Sequence, residues 1–251
     1  MAQLTVATLN IRNIADRWTE RLPLLLADMA ALQPDLIGLQ EVVFAAQQDR
    51  VLGAAGEGRY ESFRAWAGRP EYGNALLVRE PLRGHEPQRL DLEHRRSAGL
   101  VEVALPGGDP LALVATHLHH EVPDETIRDE QAAALTGWLD RRAQGADEAI
   151  IVVGDFNAEP AEPAYRRMVS AGFRSASVEA NGQEPAVTWP SGIEAPGMDD
   201  DGEPGCLDYI WVRGPIGVQA CRVVFDRPAV GDPTLYPSDH FGLIATISVG
   251  G

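Results

Sequence analysis

Residues 149–157 read Ala149-Ile150-Ile151-Val152-Val153-Gly154-Asp155-Phe156-Asn157. The apolar run is short, mostly β-branched and stopped by a glycine, which predicts a strand rather than a helix. Polar groups follow at once, and Asp155 and Asn157 stand two residues apart, so in an extended segment they point to the same side. Similar runs bounded by turn signals occur at 4–9, 35–39, 75–79, 100–105, 111–116, 207–212, 218–225 and 242–249. Nine strands are therefore expected.

Helical patterns lie between them. Residues 124–142 have Asp124 as a candidate cap, Glu125 at the start, Arg141 and Arg142 at the end, and Gly145 just beyond. Ile127, Ala134, Leu135, Trp138 and Leu139 lie roughly on one face, which predicts a helix covering a sheet. A second helix is expected from near Thr19, with Pro23 in or near its first turn and Leu22, Leu25, Leu26, Met29 and Leu32 inward, ending before Pro34. A third spans 162–171 and stops at Gly172. Neither a repeat nor a low-complexity linker divides the chain, so one domain over 1–251 is the simplest organisation. The segment 181–205, rich in Gly, Pro and acid and including Asp199-Asp200-Asp201, fits a functional loop and a solvated insertion equally well.

Composition narrows the function. The 251 residues are 45% hydrophobic and 23% charged, ordinary values for a globular protein. A net charge of −16 disfavours tight binding to a nucleic-acid backbone, unless a local basic rim or bound cations intervene. All 21 basic residues are arginine, which removes Schiff-base chemistry and the lysine of a phosphate-binding P-loop. Only Cys206 and Cys221 occur, too few for a disulfide framework or a Cys-x-x-Cys site, and a reducing compartment is compatible. Met1 leads straight into a strand with no secretory pattern, and no apolar run is long enough to span a membrane; a cytoplasmic protein is expected.

Six segments place polar residues at strand ends: Thr8-Leu9-Asn10, Leu39-Gln40-Glu41-Val42, Ala115-Thr116-His117-Leu118, Gly154-Asp155-Phe156-Asn157, Leu207-Asp208-Tyr209-Ile210 and Ser238-Asp239-His240-Phe241-Gly242. Strand ends can converge on one rim and hold a rigid site. Singly, each has a structural reading: Asn10 a turn, Glu41 a helix cap, Asp155 with Asn157 an Asx turn, His117 or His240 a hydrogen-bonded core histidine.

Together, in order and context, the six segments resemble the endonuclease/exonuclease/phosphatase superfamily, with Gly-Asp-Phe-Asn and Ser-Asp-His the most specific. The resemblance spans residues 8–242 and implies an α/β four-layer sandwich, two mainly antiparallel sheets face to face with helices outside. It also implies metal-dependent hydrolysis of phosphate esters. By matched position, Glu41 resembles the principal metal carboxylate, with Asn10 and Asp239 beside it, and hard oxygen donors suit Mg²⁺ or Mn²⁺. Asp155 resembles the residue that orients and deprotonates water, and Asn157 the donor that steadies the transition state. His240 resembles the histidine that contacts the scissile phosphate, paired with Asp208. His117 resembles a second phosphate-side histidine and general acid, and its presence points away from the abasic-site repair branch, which tends to carry tyrosine there.

Other residues are weaker candidates. Asn74, expected just before a strand, fits a phosphate donor or a turn, and Arg96, beside Arg95, fits a phosphate contact or the surface. Arg128 and Gln131, one helical turn apart, are expected to buttress the loop after His117. The sequence His117-Leu118-His119-His120 lacks a Cys partner or a helical i, i+4 pair, which disfavours zinc, and no Gly-x-Ser-x-Gly elbow is present. Net charge tilts the expected substrate towards a small phosphorylated molecule or a phospholipid head group, with no obligate protein partner evident. A nuclease is the alternative. A non-catalytic protein of the same fold is the third reading, against which the intact metal and catalytic positions count.

Overall fold

The computed structural model describes residues 2–55, 59–106, 110–142, 148–198 and 202–250. Gly145 and Asp199-Asp200-Asp201 lie outside the described residues. The elements run β1 (Ala2–Asn10), α1 (Trp18–Leu32), β2 (Leu36–Val43), α2 (Gln48–Gly53), β3 (Tyr60–Ala67), β4 (Arg69–Arg79), β5 (Arg83–Asp91), β6 (Ser97–Ala104), β7 (Pro110–His117) and α3 (Glu125–Arg142). They continue with β8 (Ala149–Asp155), α4 (Pro163–Ser170), β9 (Arg174–Ser175), α5 (Ala176–Asn181), β10 (Asp208–Arg213), β11 (Ile216–Val224) and β12 (Gly242–Val249). They build two six-stranded sheets, β11-β12-β1-β2-β4-β3 and β5-β6-β7-β8-β10-β9. The pairs β1/β2 and β7/β8 are parallel and the other pairs antiparallel.

Alternation along the strands makes the four layers. Leu4 and Val6 enter the core between the sheets while Ala7 and Leu9 face α1; Ala149, Ile151 and Val153 enter it while Ile150 and Val152 face α3 and α4. The sheets approach closely at Gly38, where a Cβ would lie 2.3 Å from Val153 Cγ2, so Gly38→Ala would overpack this core.

The same alternation delivers the site. Asn10 continues the inward series Leu4, Val6; His117 continues Leu111, Leu113, Ala115; Asp155 continues Ile151, Val153; and Asp208 precedes the inward Ile210 and Val212. Each is the polar member of an inward series, placed where the apolar sandwich ends.

All nine expected strands are present, and the elements depart from expectation in four respects. β3, β5 and the two-residue β9 are additional. β4 starts at Arg69, six residues before the expected 75, so Asn74 lies inside a strand rather than ahead of one. The buried stripe of α3 is Arg128, Gln131, Ala132, Leu135, Thr136 and Leu139, which leaves Ala134 exposed. The helix is turned this way because polar Arg128 and Gln131 find buried partners. In α1, Pro23 falls in the second turn on the exposed face, while Leu25 and Met29 are buried as expected. No helix among the described residues is long and apolar enough to cross a membrane.

Candidate active site

Three site residues form one row on the second sheet, because His117 on β7 and Asp208 on β10 are both register partners of Asp155 on β8. The preceding Gly154 has φ +153°, and a Cβ there would meet Thr116 O at 2.1 Å, so only glycine lets β8 lie this close to β7 before Asp155. From the first sheet, Asn10 Nδ2 donates to Asp155 Oδ2 at 3.0 Å and lies 3.3 Å from Glu41 Oε1.

Glu41 reaches the site by a different route. Strict alternation would send it outward with Leu39, but the β2/β4 register shifts between Leu39 and Val42 and Glu41 takes φ +58°. The bulge turns the carboxylate inward, where Asn13 Nδ2 donates to Oε2 at 2.7 Å.

Two buried histidines converge on Asp155 Oδ2, His117 Nε2 at 3.4 Å and His240 Nε2 at 3.6 Å. Their far nitrogens have opposite partners. Nδ1 of His240 lies 2.9 Å from Asp208 Oδ2, whereas Nδ1 of His117 lies 3.1 Å from Arg96 Nη1. Burial disfavours charge on His240, but Asp208, Asp155 and Asp239 outweigh it and lift its pKa to about 10. For His117, burial acts together with the cations Arg96 and His240 and drives the pKa well below the usual histidine value. Because an arginine can only donate, His117 Nδ1 is the acceptor and the proton of the neutral ring sits on Nε2, facing Asp155. The resemblance implies a general acid at His117, and the Arg96 contact leaves the neutral ring its proton on Nε2, the nitrogen facing Asp155.

Asp155 titrates between them. Burial pushes its carboxyl up to about 7, with Asp208 adding to the rise, while His240, Asn10 Nδ2 and the Asn157 amide pull it down. That value suits a general base near neutral pH. Asn157 has φ +47°; its amide donates to Asp155 Oδ1 at 2.9 Å and its Nδ2 to Leu118 O at 3.1 Å. Asp239 lies across the site with Oδ2 3.4 Å from Arg12 Nη1. Asn74 donates to Ser97 O at 2.8 Å, holding β4 against β6 beside the site.

Several supporting residues were not legible in the sequence. Arg12 and Asn13 lie on the irregular β1–α1 connection, where spacing carries no signal. His120 takes Arg96 Nη2 at 3.0 Å, so one guanidinium spans two imidazoles. Arg21 is fully buried and donates only to carbonyls, among them Ile11, Arg12, Ala15 and Pro237, tying the loop after Asn10 to the loop before Asp239. Within 181–205, Thr188 Oγ1 accepts from the amides of Leu207 and Asp208, and Ser191 Oγ donates to Ser238 O. The described part of this segment therefore braces Asp208 and His240. Gln131 Oε1 accepts from the His119 amide, and Arg128 Nη1 donates to Glu121 O, the expected buttress.

Among the described residues, two groups bring ligating atoms within 4.8 Å of one another, His119–Glu121–Asp124 and Asp155–Asp208–His240. In the first, His119 Nε2 is 2.9 Å from Asp124 and joins the loop to α3. In the second, His240 carries the compensating charge as an imidazolium, which is not a metal ligand. Glu41 is different: the Asn10 and Asn13 amides and the Tyr72 hydroxyl hold its carboxylate, and Arg12 faces both Glu41 and Asp239, an oxygen-rich setting that fits a hard divalent cation.

The sequence matches the Endonuclease/Exonuclease/phosphatase family over residues 7–240. Human Nocturnin is 26% identical over 269 residues, covering 92% of this chain and 58% of that protein, so the chain spans a little over half the length of this relative. The human Nocturnin catalytic domain with bound sulfate superposes with a TM-score of 0.79 at 25% identity, covering 99% of this chain and 94% of the other. An endonuclease/exonuclease/phosphatase structure from Bacteroides vulgatus gives 0.81 at 18% identity and full coverage of both chains. The two facing sheets, the carboxylate row closing their core and a match from β1 to His240 thus have one common explanation: the chain belongs to the endonuclease/exonuclease/phosphatase family of metal-dependent phosphoester hydrolases.

Proposed function

We propose that the chain hydrolyses phosphodiesters with the help of Mg²⁺, for which Mn²⁺ can substitute, using Asp155 to take the proton of the attacking water. The observation that carries this reading is one buried carboxylate facing a cationic imidazole and a neutral one. Asp155 deprotonates near neutral pH and aims the water. His240, kept protonated by Asp208, offers a positive donor to a phosphate oxygen as negative charge grows there. His117 offers its Nε2–H on the other side, with Arg96 behind it, and Asn157 adds an amide donor. Glu41, Asn10 and Asp239 would hold the cation, which when bound supplies charge neutralisation at a non-bridging oxygen. The sulfate carried by the human Nocturnin catalytic domain, a tetrahedral anion of phosphate shape, supports an anion site on this scaffold.

On substrate, the acidic net charge favoured a small or lipid-linked phosphate. That argument weakens because the charge is unevenly spread: arginines gather with exposed Trp66 and half-buried Tyr72 on the rim next to Glu41 and His117. The nuclease reading is therefore the stronger one for this chain. The test is hydrolysis of bis-(p-nitrophenyl) phosphate and of p-nitrophenyl phosphate with Mg²⁺, Mn²⁺ or EDTA. Diester cleavage that needs the cation and falls on the order of 10²-fold or more in Glu41→Gln is expected. Cleavage that persists in EDTA would refute the proposal.

A further inference from the structure

We propose that the tips of the β3–β4 and β5–β6 hairpins form a binding ridge for a single-stranded nucleic acid, with Trp66 and Tyr72 as stacking platforms and Arg69, Arg89 and Arg95 as phosphate partners. This rests on the phosphodiesterase reading and names the substrate class for the same site.

Two arginine–aromatic pairs stand side by side. The Arg89 guanidinium lies 3.4 Å from the centroid of the Trp66 ring and donates to Trp66 O, yet the tryptophan stays 41% exposed. Arg69 lies 5.7 Å over the Tyr72 ring. The hairpin tips touch at Gly68, where a Cβ would come 2.8 Å from Arg95 Cβ. Arg96, the next residue, reaches His117 and His120, so one end of the ridge meets the phosphate-side histidines.

The other end meets Glu41. A groove of about 400 Å³ lined by Asn13, Ile14, Val43, Arg69, Glu71 and Tyr72 adjoins that carboxylate, and Ile14 is 52% exposed in it. An apolar wall and a phenol ring suit a base flanking the scissile phosphate, with Trp66 one step further out. Charge agrees: residues 64–72 and 89–96 hold Arg64, Arg69, Arg89, Arg95 and Arg96 against Glu71, Asp91 and Glu93, in a chain with 21 basic and 37 acidic residues. Rings backed by guanidinium groups, here exposed Trp66 and half-buried Tyr72, bind unstacked bases and tolerate sequence, whereas a duplex hides its base faces. A lipid surface would call for a broader apolar patch than isolated Trp66 and Ile14.

The test measures binding of a fluorescein-labelled eight-nucleotide single strand by anisotropy in EDTA over a salt series. It also measures kcat/KM with Mg²⁺ on the unlabelled strand and on bis-(p-nitrophenyl) phosphate. Trp66→Ala is expected to raise Kd about tenfold. The double variant Arg69→Gln/Arg95→Gln is expected to lower the slope of log Kd against log salt by about 1.4, two phosphates at roughly 0.7 each. In both, the ratio of strand to small-diester kcat/KM falls about tenfold, while Arg83→Gln, at the opposite end of β5, leaves the ratio unchanged. Unchanged Kd in both ridge variants, a parallel loss on the two substrates, or binding to phosphatidylserine vesicles but not to the strand would overturn the ridge. Binding that behaves as expected without hydrolysis of either substrate would support the ridge and refute the phosphodiesterase reading instead.

Discussion

His117 and His240 approach the same oxygen of Asp155 from two sides, at 3.4 and 3.6 Å, and both are buried, yet one is neutral and the other cationic. The difference lies one atom shell further out. Asp208, from the strand next to Asp155, sits on Nδ1 of His240; Arg96, from the β5–β6 hairpin, sits on Nδ1 of His117. Burial alone lowers the pKa of any histidine, and the two part because Asp208, with Asp155 and Asp239, raises His240, whereas Arg96, with His240 itself, lowers His117 further. A phosphoryl-transfer site gains from this division, because a fixed cation and a neutral donor can hold a phosphate while the shared carboxylate remains free to accept a proton.

The largest expected effect comes from removing the shared carboxylate. Asp155→Asn should lower kcat by about 10³-fold, within the range for loss of a general base. Stability should move the other way. The folded pKa of about 7 lies above the unfolded value of about 3.9, so Asp155 favours folding fully below pH 4 and loses that contribution as pH rises through 7. The metal-free variant should therefore melt a few degrees above the wild type at pH 8, and the gain should shrink at pH 5.5. A lower melting temperature at pH 8 would mean that the buried carboxylate is not strained by its surroundings.

Smaller effects separate the two outer partners. Asp208→Asn removes the nearest charge holding His240 protonated and should cost about 10²-fold in kcat, with the high-pH limb of the rate profile moving down from about 10. Arg96→Gln should cost about tenfold and let His117 gain a proton more readily. Equal losses with identical pH profiles would erase the distinction between the two histidines.

Much of this arrangement was legible in the sequence, for a physical reason. A strand that is apolar on both faces and ends or begins in a polar residue of inward parity announces both its place and its site group, as Asn10, His117 and Asp155 do at strand ends and Asp208 at a strand start. What stayed hidden depended on the third dimension. β5, Arg-Gly-His-Glu-Pro-Gln-Arg-Leu-Asp, is an edge strand with little to bury, so no apolar alternation marks it. Glu41 could be named as a candidate, but its inward aim depends on a bulge that residue type does not encode. Nothing in the spacing of α1 marks Arg21, whose burial is possible because several carbonyls from two distant loops converge on it. Asn74 stands just before the apolar run at 75–79, and the polar first half of β4, Arg69 to Asn74, carries no apolar alternation to mark it as strand.

The most direct test of the division of charge is ¹⁵N NMR of the imidazole rings from pH 5 to 9, assigned with His117→Gln and His240→Gln. The expected spectrum shows His240 as an imidazolium throughout and His117 as a neutral ring protonated on Nε2. Two histidines that both titrate near pH 6.5 would contradict it.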